Sequence, residues 1–157
     1  MTYRFKLQEP IAQGVRRIGL EQIDIAAAKV ASKYDIPTAI HDARRCLKRL
    51  RALLRLIRPG LAEALYRREA ERLVGMGKLL SGARDHFVMQ QTLAKLESRF
   101  GVVPDGGAER LRKLLAHGHA RNRRSGTDAR RQALQRLDQT RRLFTGKIGR
   151  ASCRERV

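Results

Sequence analysis

The run from Ile40 to Arg58 constrains this chain more than any other stretch of it. At 100° per residue, His41, Arg44, Arg45, Lys48, Arg49, Arg51, Arg55 and Arg58 fall on one half of a helix. Ala43, Cys46, Leu47, Leu50, Leu53, Leu54 and Ile57 fall on the other. One face can bury itself while the other carries a row of cations, about 21 Å long from 41 to 55 at roughly 1.5 Å per residue. Like charges three and four residues apart repel by a few tenths of a kcal/mol per pair. A surface helix ordinarily relieves this with interleaved acids, and here only Asp42 is acidic. An extended anion is the simplest reason to tolerate such a row.

The rest of the composition points the same way. The 157 residues are enough for one domain with a real core, and they carry 35 Lys and Arg against 15 Asp and Glu, a net charge of +20. Such an excess attracts polyanions: nucleic acid, inorganic polyphosphate or an anionic surface. With no Trp, three Tyr and four Phe, stacking platforms for single-stranded bases are scarce. Neither a long apolar run nor a leader-like amino terminus is present, so a cytoplasmic protein without a membrane span is expected. Two cysteines do not make a disulfide framework, and Cys46 reads as a small core residue.

Periodicity predicts helices throughout. Glu9-Pro10 opens the first, with proline in its first turn, and Ile11, Val15, Ile18, Ile23, Ala26 and Val30 carry it to about Lys33. After a break at 35–38, the basic helix runs from about Thr38 to Ile57 and stops at Pro59-Gly60. A third stretch starts near Leu61, with Gly75, Gly77 and Gly82 suggesting close packing or kinks, and its pattern extends through Phe87, Val88 and Leu93 to Phe100. Residues 101–107 form the clearest loop, and a last helix starts near Ala108, with Ser125-Gly126-Thr127 either breaking it or lying inside it. The expected class is all-α, an antiparallel helical bundle with almost no strand. The segment 147–157 has neither periodicity nor a cap and looks like the translation of a sequencing-adapter oligonucleotide. It is read as a non-native tail on a truncated domain of residues 1–146; without it the balance is 31 cations to 14 acids.

Other motifs are weaker. Gly75-Met-Gly77-Lys78 lacks the earlier glycine and the following Ser or Thr of a phosphate loop. His86, His117 and His119 have no companions at metal-ligand spacing, so no metal or cofactor is expected. No nucleophile–base pair or acid/base carboxylate pair stands out, so the chain is expected not to be an enzyme. Arg84-Asp85, just after Gly82, reads by itself as a surface ion pair. The cations at 110–131 read as a minor, screened contribution.

The pattern Ile40-His41-Asp42-Ala43-Arg44, then Lys48-Arg49-Leu50-Arg51 and Arg55, followed by Leu80, Ala83, Arg84 and Asp85, resembles the CHAD family of conserved-histidine α-helical domains. Tyr3-Arg4-Phe5-Lys6 is similar to that family's opening. The resemblance implies two pseudo-symmetric four-helix bundles around a basic channel that binds inorganic polyphosphate without catalysis, with this chain as the amino-terminal half. It also implies association with polyphosphate granules. On that pattern His41, Arg44, Lys48, Arg49, Arg51, Arg55 and Arg84 are polyphosphate-binding, and Asp85 orients an arginine. Arg45 stands where the family often has a β-branched residue and joins the set from the helical wheel. The second histidine-basic helix is missing. A half-domain of this kind binds weakly, pairs into a homodimer that completes the channel, or fails to fold alone. Nonspecific nucleic-acid binding is the alternative that charge alone allows.

Overall fold

The structure, a computed structural model, describes residues 3–101 and 107–146, with the backbone alone for 82–87, 90, 108 and 116–125. Five α-helices follow one another: α1 (Ile11–Ala31), α2 (Ile36–Leu56), α3 (Glu63–Leu79), α4 (Ser81–Phe100) and α5 (Gly107–Thr145). A 3₁₀ turn at Arg58–Gly60 joins α2 to α3, and there is no strand among the described residues. The all-α expectation holds.

Side-chain pairs fix α1 and α2, α1 and α5, and α3 and α5 as antiparallel neighbours. Lys29 on α1 meets Asp42 on α2 at 3.0 Å, and further along Arg49 of α2 reaches Gln22 of α1. Gly19 of α1 lies under the Phe144 ring of α5, while Arg130 of α5 donates to the carbonyls of Val30 and Ser32 at the other end of α1. Those carbonyls have no partner within the helix, so Arg130 serves as a tertiary carboxyl-terminal cap. Glu69 of α3 accepts from Thr140 of α5, and Arg136 crosses Gly75 so closely that a Cβ there would lie 2.7 Å from its guanidinium. Glu97 of α4 meets Arg112 of α5 at 2.7 Å.

These contacts divide the molecule by length. At 1.5 Å per residue α5 is about 58 Å long, nearly twice α1. Its carboxyl-terminal half closes a four-helix bundle with α1, α2 and α3 around Val15, Ile23, Ile40, Leu50, Leu54, Leu73, Met76, Leu137 and Phe144. Its amino-terminal half runs against α4 as a two-helix arm. Among the described residues α4 supplies nothing to the main core.

The helix boundaries differ from the sequence reading in three places. Pro10 precedes the first helical residue, and α2 starts at Ile36 rather than Thr38. Asp35 adopts a left-handed conformation (φ 39°, ψ 57°) and its carboxylate accepts from the Thr38 amide, so Pro37 sits in the first turn, where its missing N–H is no loss. The third stretch breaks at Leu80, where Arg44 and Ser81 take the carbonyls of Gly77 and Lys78. Ser125-Gly126-Thr127 lies inside α5. The stretch 102–106 and the segment 147–157 fall outside the described residues.

Candidate functional site: an uncompensated cation row on α2

The two halves of α2 separate as its sequence requires. Ala43, Cys46, Leu47, Leu50, Leu53 and Leu54 are all buried, Leu50 completely, and Ile57 packs against them. Burial pushes the Cys46 thiol above its ordinary pKa, which keeps it a neutral core group. His41, Arg45, Lys48 and Arg55 are exposed on the opposite half, and Arg44, Arg49 and Arg51 are half-buried.

The structure sorts the expected site residues into three groups. Lys48, Arg51 and Arg55 meet no carboxylate and make no hydrogen bond among the described residues, and His41 makes no hydrogen bond there but interacts electrostatically with the neighbouring Asp42. Their backbone positions climb one side of the helix, Lys48 to Arg51 by about 4.5 Å and Arg51 to Arg55 by about 6 Å. Arg44, one turn before Lys48 on the same side, and Arg49, about 100° round from Lys48, are held by neutral oxygens. Arg44 Nη1 donates to the Gly77 carbonyl of α3 at 2.6 Å, and Arg49 Nη1 donates to Gln22 Oε1 of α1 at 3.3 Å. Neither bond neutralises the guanidinium, and each leaves other N–H donors free of that partner. Arg45 is exposed and has Asp42 at 3.8 Å. Asp42 itself is turned to α1: the Lys29 ammonium, with lesser help from Arg45, holds its carboxyl below the usual range. Arg58 leaves the row altogether, pairing with Glu63 at 3.1 Å and lying over the Tyr66 ring.

Elsewhere many of the arginines sit against acids, though cations such as Arg16, Lys33 and Lys78 do not among the described residues. Arg17 is held by Glu9 and Glu21, Arg67 by Glu63, Arg72 by Glu69, Arg112 by Glu97 and Glu109, Arg131 by Asp128, and Arg142 by Asp138. The contrast with α2 is the electrostatic signature of the site. Among the described residues no group of three or more His, Cys, Asp or Glu could hold a metal ion.

Arg84 and Asp85 lie on α4, which packs against α2 and α3, but their side chains are outside the described residues, as are those of His86, His117 and His119. Two participants were given no role at the site from sequence. Gln22 is a buried amide in an otherwise apolar stripe of α1, and that interruption of the pattern is its only sequence signal. Tyr3 donates its hydroxyl to the Arg49 carbonyl at 2.8 Å and sets its ring 5.6 Å from the guanidinium carbon. The amino-terminal strap is in turn fastened by Arg17, which reaches both Glu9 and the Arg4 carbonyl.

Fold and surface together define an all-helical, strongly basic bundle domain. Comparison with curated proteins and comparison with solved structures each give no match. The chain belongs to the CHAD domain family, which it matches over residues 18–152. The match begins within α1 and takes in all of α2 to α5. That family is associated with polyphosphate-related binding.

Proposed function

We propose that this protein is a non-enzymatic module that binds inorganic polyphosphate along the polar face of α2. The observation that carries the reading is the uncompensated file of Lys48, Arg51 and Arg55 beside two arginines fixed by neutral oxygens. A linear phosphate chain supplies negative charge at a repeat shorter than the spacing of the cations, so every cation finds an oxygen without distorting the helix. Arg44 and Arg49 are already oriented by Gly77 and Gln22, which reduces the side-chain entropy lost on binding. Guanidinium groups give forked, charge-assisted contacts to phosphate oxygens, and Lys48 a point charge between them. His41 and Arg45 extend the track toward the start of α2, and Arg84 of the neighbouring α4 joins it with Asp85 as the orienting acid. The family resemblance makes polyphosphate granules in the cytoplasm the expected cellular setting. No helix among the described residues is long and apolar enough to cross a membrane.

The test is retention on immobilised long-chain polyphosphate and competition by duplex DNA at equal phosphate concentration. Lys48→Glu with Arg55→Glu is expected to abolish retention with helicity unchanged. Arg44 is left intact because it also caps α3. Unaltered retention, or displacement by duplex at equal phosphate, would sink the proposal; the second result favours nucleic acid.

A further inference from the structure

The cations of the α2 row do not stand on the crest of that helix. At 100° per residue the apolar stripe from Ala43 to Ile57 centres opposite His41, whereas Arg44, Lys48, Arg51 and Arg55 average about 50° to one side of it. That side faces α3, since Arg44 Nη1 crosses to the Gly77 carbonyl at 2.6 Å. Arg45 and Arg49 lie on the other side of His41, where Arg49 reaches Gln22 of α1. Arg58 meets Glu63 at the start of α3 and Arg44 meets Gly77 near its end, so α2 and α3 run antiparallel in one register. In that register Lys48, Arg51 and Arg55 stand level with Leu73, Ala70 and Tyr66. The groove between the two helices therefore has the row as one edge. Its other edge, measured round α3 from Gly77, is formed by Ala70, Val74 and Lys78 at about 20°, 60° and 100°. The buried Leu73, Met76 and Leu80 turn the opposite way from Gly77, so this edge is the outer one. A Cβ at Gly77 would have no heavy atom within 4 Å, which leaves that end of the groove open beside Arg44. Lys78 is exposed, and its ammonium has no carboxylate or hydrogen bond among the described residues. The acids of α3 on this side stand toward the far end: Glu63 is taken by Arg58 and Arg67, and the exposed Glu71 acts on Arg67.

We infer that the phosphate chain runs in this groove between α2 and α3, with Lys78 as a further binding residue and Gly77 as the position whose missing side chain admits the chain. The inference rests on the reading of the row as a polyphosphate site. Helices packed about 8–10 Å apart bring cations on both edges of their groove to one line of phosphates. A chain on the crest of α2 would leave Lys78 untouched and would pass Gly77 by.

The experiment is fluorescence anisotropy of end-labelled polyphosphate with the full chain at several salt concentrations. Lys78→Gln is expected to weaken binding about fivefold and to make the slope of log K against log salt shallower by about 0.7. Lys78→Arg is expected to restore both. Arg16→Gln, which removes an equally bare cation from α1, is expected to change affinity by less than about twofold. Gly77→Leu is expected to weaken binding roughly tenfold without lowering the thermal midpoint, because leucine favours helix and the space beside Gly77 is empty. Amide chemical shifts of the unaltered protein on adding polyphosphate give a readout independent of any variant's folding, with changes expected at Val74, Gly77 and Lys78. Replacing Lys48, Arg51 and Arg55 by Gln tests the underlying reading, and undiminished binding there removes row and groove together. Loss in that variant, with Lys78→Gln no weaker than Arg16→Gln or with Gly77→Leu binding like the unaltered protein, overturns the groove alone.

Discussion

Replacing Lys48, Arg51 and Arg55 together by Gln removes three cations that no carboxylate compensates among the described residues. Hydrogen bonds to charged groups contribute about 1.5–3 kcal/mol net, but these side chains are largely solvated, so about 1 kcal/mol each is the appropriate figure. The sum, about 3 kcal/mol, is roughly a 100-fold loss of affinity for polyphosphate. Counterion release gives a second, independent magnitude. If the six Lys and Arg side chains from Arg44 to Arg55 each neutralise one phosphate of a flexible single strand, log K falls with log salt at a slope of about −4. The triple variant should show about −2.

The control removes equal charge elsewhere: Arg67, Arg131 and Arg142 to Gln, each of which sits against Glu63, Asp128 or Asp138. Both variants take the formal charge from +20 to +17. Fluorescence anisotropy of end-labelled polyphosphate, titrated at several salt concentrations, reads affinity and slope together. The control should change affinity by less than about threefold, because its cations are engaged with acids at exposed sites. Equal losses in the two variants would mean that diffuse charge binds the chain, and the row would be refuted. Stability gives a further check with the opposite sign. The row variant relieves several i,i+3 and i,i+4 repulsions, a gain of about 0.5–1 kcal/mol. Its Tm should rise by about 2–4 °C, read by circular dichroism.

Gly19→Ala places a methyl group into the Phe144 ring and should destabilise the chain by about 1–3 kcal/mol in urea unfolding, whereas Gly77→Ala, with open space beside it, should not. Glu69→Ala removes a buried carboxylate held by Arg72 and Thr140 between α3 and α5; a loss of about 2–4 kcal/mol in the same assay is expected, with Thr140→Val costing less. The Arg17 guanidinium, helped by the Lys6 amide, lowers the pKa of Glu9 to about 2. A carboxyl whose folded pKa lies below its free value stabilises the strap above about pH 4.5 and loses that contribution as pH falls toward 2. A carbon-13 titration of the Glu9 carboxyl should have its midpoint near 2, and a midpoint near 4.5 would show that the strap is not fastened in solution.

The parts of the structure legible in the sequence are those set by local periodicity. The α2 run assigns its own buried and exposed halves because each apolar residue from Ala43 to Leu54 except Ala52 sits on one side of a 3.6-residue repeat. The antiparallel order follows from short connections. What was not legible depends on partners far along the chain. Leu80 is a good helix former, and the break there relies on Arg44, 33 residues before Gly77, and on the Ser81 hydroxyl to donate to the carbonyls of Gly77 and Lys78. The run through Ser125-Gly126-Thr127 carries a glycine that lowers helix propensity, yet α5 continues because packing on both sides of that point holds it. Arg58 shares the cationic half of the wheel but not its role, since the 3₁₀ turn swings it onto Glu63 and Tyr66.

The tethering of Arg44 and Arg49 gives the row a division of labour that a helical wheel cannot show. Both guanidinium groups bridge α2 to a neighbour through an uncharged oxygen, so each contributes to packing while its positive charge stays available. A carboxylate at Gly77 or Gln22 would have fixed them more firmly but cancelled that charge. Neutral acceptors for Arg44 and Arg49 beside bare cations at Lys48, Arg51 and Arg55 keep α2 in place without lowering the potential along it. The repulsion that remains is a few tenths of a kcal/mol per pair, small beside the burial of six apolar side chains on the opposite face at about 1.5–3 kcal/mol for each large one. The bundle can therefore hold the row open, and that margin is what makes an uncompensated cationic helix physically possible in the unliganded protein.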